Sequence, residues 1–314
     1  MDAFSLTNWK RLIFCMVSGC LCFVLTFFFA EPLVESVSLP YFSAIIAEFL
    51  KGLPLLYLVL KRKIVMLGDA TIYGSALGAG YAMSENIYFT MLDPFNTIQA
   101  YAPVTAVILG FETAIMHIGC SSLLAYGLIM AKQETTNRSY FIRNLGVVAV
   151  FLLTSAVHII HNVAPIPPLL LTTILTIYFI LSKRHIFKKN ESNIHTWIDE
   201  CLNNDVALLS SIKKGELSKT NAGKYLVSIK DAFSPEVFFD LCCYISEYLE
   251  LSITAKSNLL LRQAGFPVQR TEKTKARINE LLALRKRIGK AGVEAVKPIV
   301  NIEDVDYWAV NALL

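Results

Sequence analysis

The first part of this chain is written in long apolar runs, and the last part is not. Six runs reach the roughly 20 residues that one bilayer crossing needs: residues 12–30, 40–60, 68–92, 103–131, 145–163 and 165–182. The segment APIPP is expected to join the fifth and sixth as a tight hairpin. The first run is too long for the apolar core of a signal peptide, and Phe28 in TFFFA spoils the small-residue cleavage pattern, so it reads as an uncleaved helix. Beyond residue 183 the pattern is that of a soluble helical domain. The expected architecture is therefore all-α: a polytopic membrane bundle of about six helices over 1–185, followed by a cytoplasmic helical domain over 186–314.

Composition agrees with that division. Of the chain, 54% is hydrophobic and only 17% is charged, against about 25% charge in a soluble domain; the mean hydropathy is +0.51. Basic and acidic residues balance up to Ser182, so the net charge of +4 belongs to the tail. That surplus is too small for a nucleic-acid binder and suits a domain beside an anionic lipid surface.

Positive residues orient the bundle. Lys10, Arg11, Lys61, Arg62, Lys63, Lys132, Arg138, Arg143, Lys183, Arg184, Lys188 and Lys189 fall in alternate connections, whereas Glu31, Glu35 and Asp93 occupy the others. Both termini are thereby placed in the cytoplasm. The seven cysteines lie in helices or in the tail, and they build neither an extracellular disulfide framework nor a zinc ribbon.

Four polar islands interrupt the apolar runs: Glu48 with Lys51, Glu85 with Asn86, His117, and His158 with His161 and Asn162. Ionisable groups are costly in a bilayer and persist mainly where they face one another, a cavity or a metal. At 1.5 Å of rise per residue, Glu48 lies about 12 Å from the outer end of its helix, Glu85 about 10 Å and His158 about 7 Å. His117 falls near the midplane, and His161 nearer the surface. Helices running in alternate directions thus bring two carboxylates and two or three imidazoles to similar depth. Carboxylate and imidazole together suit zinc, whose bound water a nearby carboxylate can deprotonate.

Each island also has a plainer reading. Glu48 and Lys51 form an internal ion pair, Glu85 and Asn86 hydrogen-bond helix to helix, His117 is a satisfied core histidine, and His161 is interfacial. Glu112 either lines the site or caps a packing contact. Gly74, Gly78 and Gly80 predict close packing of the third helix and carry no chemistry themselves.

At these islands the chain resembles the PrsW family of intramembrane metalloproteases, relatives of the CAAX prenyl endopeptidases. The motif E-E-x-x-K is matched by Ala47, Glu48 and Lys51, and G-x-G-F-A-x-x-E-N by Gly78, Gly80, Tyr81, Ala82, Glu85 and Asn86. A helical His followed by small residues is matched from His117 to Gly127, and H-x-x-x-D/N by His158 and Asn162. The resemblance implies cleavage of a membrane-tethered protein near the outer face of a bacterial inner membrane, an anti-sigma factor being one such substrate. On it, a divalent metal, expected to be zinc, is held by Glu85, His117 and His158, with Glu48 as general base and Asn162 as oxyanion or supporting donor. Lys51 pairs with Glu48, and Asn86 and His161 support the site. Ala47 departs from the motif, which leaves a hydrolytically inactive scaffold as an alternative. A cation- or proton-coupled transporter is another, although no internal repeat is visible.

In the tail, Ser234-Pro235-Glu236 is a helix start and Gly265-Phe266-Pro267 a stop. Residues 270–290 are expected to form a basic amphipathic helix that meets a cytoplasmic partner or lipid headgroups, or simply presents a solvated face over a core.

Overall fold

The computed structural model describes residues 8–37, 41–92, 103–133, 140–163, 166–266 and 272–300. Asp93, Arg138, Pro165, Pro267 and Arg270 lie outside them. The described residues are all-helical, without a strand. They fall into two compact units, one reaching to Asn190 and the other beginning at Glu191.

The first unit holds α1 (Trp9–Val37), α2 (Tyr41–Leu60), α3 (Leu67–Ile87), α4 (Pro103–Gln133) and α5 (Tyr140–Val163), and then the start of α6 (Pro168–Lys213). A single π-type turn, Tyr88–Leu92, follows α3. Among the described residues, five helices are long and apolar enough to cross a membrane, namely α1, α2, α4, α5 and α6. Large apolar side chains on them, including Phe28 (67% exposed), Leu60 (67%) and Val107 (72%), stand outward. Such a surface is stable against lipid and not against water.

α3 is absent from those five for a physical reason. Its 21 residues suffice for a crossing, but they include glycines, Asp69 and Glu85 where a lipid-facing helix would carry leucine. It packs instead between α1 and α4, as their many mutual contacts show. A Cβ on Gly80 would meet the Met16 carbonyl oxygen of α1 at 1.9 Å, and one on Gly78 the His117 carbonyl oxygen of α4 at 2.3 Å. Only glycine permits this approach, which is what brings α3 alongside His117.

α6 differs from the expected helix over 165–182. It continues to Lys213, because no glycine or proline interrupts the chain between Pro168 and Gly215 even though the composition turns from apolar to charged.

The second unit is built on α8 (Pro235–Gln263) and α9 (Glu272–Val296), with the short α7 (Asn221–Ile229) before them. Ser234 caps α8 by accepting from the Val237 amide at 3.4 Å, and Pro235 occupies the first turn. Ile278, Leu281, Leu284 and Ile288 form the buried stripe of α9, while Leu282 is 47% exposed.

Candidate metal centre

In α2 the buried positions Ala44, Ala47 with Glu48, Lys51, Leu55, and Leu58 with Val59 return at each helical turn. They make one stripe facing inward, so Glu48 and Lys51 are committed to the interior by helical period alone. Pro54, one turn later, cannot donate to the Leu50 carbonyl. The Cys22 thiol of α1 donates there instead, at 3.4 Å.

Four helices then contribute to a single line of contacts. Lys51 Nζ donates to Glu48 Oε1 at 2.5 Å and to His117 Nδ1 at 3.0 Å. An ammonium only donates, so Nδ1 of His117 is the acceptor and a neutral ring carries its hydrogen on Nε2. That nitrogen lies 2.6 Å from Glu85 Oε2. At the other end, His158 Nδ1 lies 3.0 Å from Glu48 Oε1, and by the same logic donates to it. Glu85, His117, Lys51, Glu48 and His158 thus form one continuous hydrogen-bonded chain.

The chain is dry. Glu48, Lys51 and His117 have no exposure, and His158 has 3%. The rings of His117 and His158 meet edge to face with centroids 4.8 Å apart. Tyr81 closes one wall: its ring lies 4.4 Å from that of His117, and Lys51 Nζ stands 4.9 Å from its centroid. In the sequence Tyr81 stands only as a motif match. Its position four residues before Glu85, on the same face of α3, is the signal that marks it as part of the site.

The remaining residues form a surround. Asn86 donates its side-chain amide to the Gly110 carbonyl at 2.9 Å, tying α3 to α4 beside Glu85. His161 faces Glu112, with Nε2 3.7 Å from Oε1. Asn162 is exposed, and its Oδ1 accepts from His161 Nδ1 at 3.1 Å. The structure does not bring it to the line of contacts. Ala47 is buried against Cys22 and Tyr81.

Ligand atoms of Glu48, His117 and His158 lie within 4.8 Å of one another. Glu48, rather than Glu85, is therefore the carboxylate that converges with both imidazoles. Two features fit this set to a cation. Glu48 Oε2 is buried without a hydrogen-bond partner, an arrangement that costs free energy unless something positive meets it. The Lys51 ammonium, meanwhile, already draws lone pairs from Glu48 and His117 together as a cation would. Two imidazoles and one carboxylate also match the three protein ligands of many catalytic zinc sites.

The family model for PrsW family intramembrane metalloproteases matches residues 7–183, more than half of the chain. The chain belongs to that family. The match covers the helical unit that carries Glu48, Glu85, His117 and His158 up to residue 183, and stops before the second unit. Membership makes this an integral membrane protein of a membrane metalloprotease family, with the divalent metal that such chemistry implies. Neither a curated protein nor a solved structure matches the chain.

Proposed function

We propose that this chain is a metal-dependent endopeptidase that cuts membrane-tethered proteins near the outer face of a bacterial inner membrane, with both of its termini in the cytoplasm. The supporting observation is the convergence of Glu48, His117 and His158 inside membrane helices, with one carboxylate oxygen unpartnered.

Glu48, His117 and His158 would hold the cation, zinc being the ion their chemistry suits best. When bound, it polarises a scissile carbonyl and lowers the pKa of a water to about 7. Glu85 is the carboxylate with an open side, its side chain 18% exposed against 0% for Glu48, so it is placed to accept a proton and pass it on. Its contact with His117 Nε2 fixes both groups. Lys51 neutralises Glu48 and occupies the His117 Nδ1 lone pair, so it keeps the donor set assembled in a low-dielectric interior until a cation takes its place. Asn86 positions Glu85 by anchoring the end of α3. The substrate class is a protein with a transmembrane helix, an anti-sigma-like factor among the candidates.

A scaffold that binds membrane helices without cutting them is the second reading, favoured by Ala47. One experiment separates the two. Protein purified in detergent should contain about one metal equivalent, lost in His158→Ala, and cells should yield a new substrate N-terminus near the outer membrane boundary that vanishes with Glu85→Gln. Metal without any cleavage product would favour the scaffold. Cleavage by metal-free wild type would overturn the assignment.

A further inference from the structure

The second unit carries a cationic groove that the proposed protease chemistry does not use. α9 breaks at Gly289, whose φ of 66° and ψ of −176° lie where side-chain-bearing residues are strained. A concavity of about 670 Å³ opens at the break, lined by Leu282, Arg285, Lys286, Lys290, Val293 and Glu294 beside Gly289 itself.

The charges around it are unevenly spent. Arg277 bonds Glu247 at 2.6 Å and also pairs with Glu250, and Arg287 bonds Asp240 at 2.7 Å, so these two fasten α9 to α8. Glu294 is drawn to Lys297 at 2.7 Å. Lys286 and Lys290, by contrast, have no ion pair among the described residues and are exposed. They flank the break at Gly289, and both line the concavity. Exposed Leu282 stands one turn before Lys286, with Val293 on the far side of the kink. Cations beside an apolar strip fit a ligand with a phosphate next to hydrocarbon.

We propose that the groove at the Gly289 kink seats the headgroup of an acidic phospholipid, with Arg285, Lys286 and Lys290 on its phosphate and Leu282 and Val293 against the start of its acyl chains. A free phosphate would satisfy the cations and leave Leu282 and Val293 in water. The lipid satisfies both.

The test is hydrogen exchange on the full chain in nanodiscs of phosphatidylcholine alone, or of phosphatidylcholine mixed with phosphatidylglycerol. Amides of residues 285–293 should exchange about fivefold slower with the acidic lipid, the factor one ammonium contributes near an anionic surface, and high salt should remove the effect. The double variant K286E/K290E should lose it, and K286R/K290R should keep it. Gly289→Ala keeps the charges but strains the kink, and should lose it too. K273E/K275E, on the exposed start of α9, should leave it intact, and unchanged exchange in α8 checks that each variant is folded. Equal exchange in both discs would overturn the proposal, as would equal loss in K273E/K275E or retention in Gly289→Ala. Protection in neutral discs on adding soluble glycerol phosphate would assign the groove to free phosphate instead.

Discussion

Lys51 Nζ stands 3.0 Å from His117 Nδ1, an ammonium set against an imidazole lone pair between two fully buried side chains. The same ammonium compensates Glu48, so the lysine does the work of a cation while none is bound. Lys51→Met should therefore destabilise the metal-free protein by about 3–5 kcal/mol, the usual cost of leaving one buried charge unpaired. Zinc should recover more stability in this variant than in wild type. Thermal unfolding in detergent, with and without zinc, measures both.

Glu48 and Glu85 have different neighbours, and their amide variants should differ in kind. Glu48→Gln removes the carboxylate that converges with both imidazoles and should lower metal content and activity together. Glu85→Gln should keep the metal and lower turnover by about 10²–10⁴, the range for loss of a general base. Metal analysis paired with a cleavage assay distinguishes the two; metal loss in Glu85→Gln alone would reverse the roles.

Ala47 occupies a filled position. At 1% exposure it packs with Cys22 and Tyr81, so a glutamate there must displace a neighbour and bury a second carboxylate beside Glu48, with Lys51 the only ammonium in the line of contacts. Ala47→Glu should cost several kcal/mol in the metal-free protein. A stability equal to wild type would show that the pocket adapts to the acid.

Gly78→Ala and Gly146→Ala should move in opposite directions. The first drives a Cβ to 2.3 Å from the His117 carbonyl oxygen, which overpacks α3 against α4 at a cost of about 1–3 kcal/mol and disturbs the centre. The second has nothing within 4 Å, so removing a mid-helix glycine should stabilise by about 0.5–1 kcal/mol. Unfolding of the two variants side by side is the check.

The second unit should weaken in acid. Lys213 and then Arg277 hold the Glu250 carboxyl below its ordinary value of 4.5, and Arg287 does the same to Asp240. Because the folded-state values are depressed, the unfolded chain takes up protons first as pH falls. The stabilisation is complete above the ordinary carboxylate range and is lost as pH drops through the lower folded values. Exchange protection in α8 and α9 should be flat from neutral pH down to about 5 and decline below it. Arg277→Met should flatten that decline.

Helix type, the place of each apolar run and the polar islands were legible in the chain alone. Each is local: a 3.6-residue period places Glu48 and Lys51 on one stripe of α2, and apolar run length sets what can cross a bilayer. The glycine rows of α3 also signalled close packing before any partner was known. What tertiary structure decided was pairing. Motif order suggested Glu85 as the carboxylate beside the histidines and Asn162 as a donor in the site, whereas packing sets Glu48 among His117 and His158, Glu85 on the far nitrogen of His117, and Asn162 outward against His161. Those outcomes depend on how each helix is rotated about its axis, and rotation is settled by contacts between distant segments, such as Gly78 on His117 and Cys22 on Leu50, that no local period encodes.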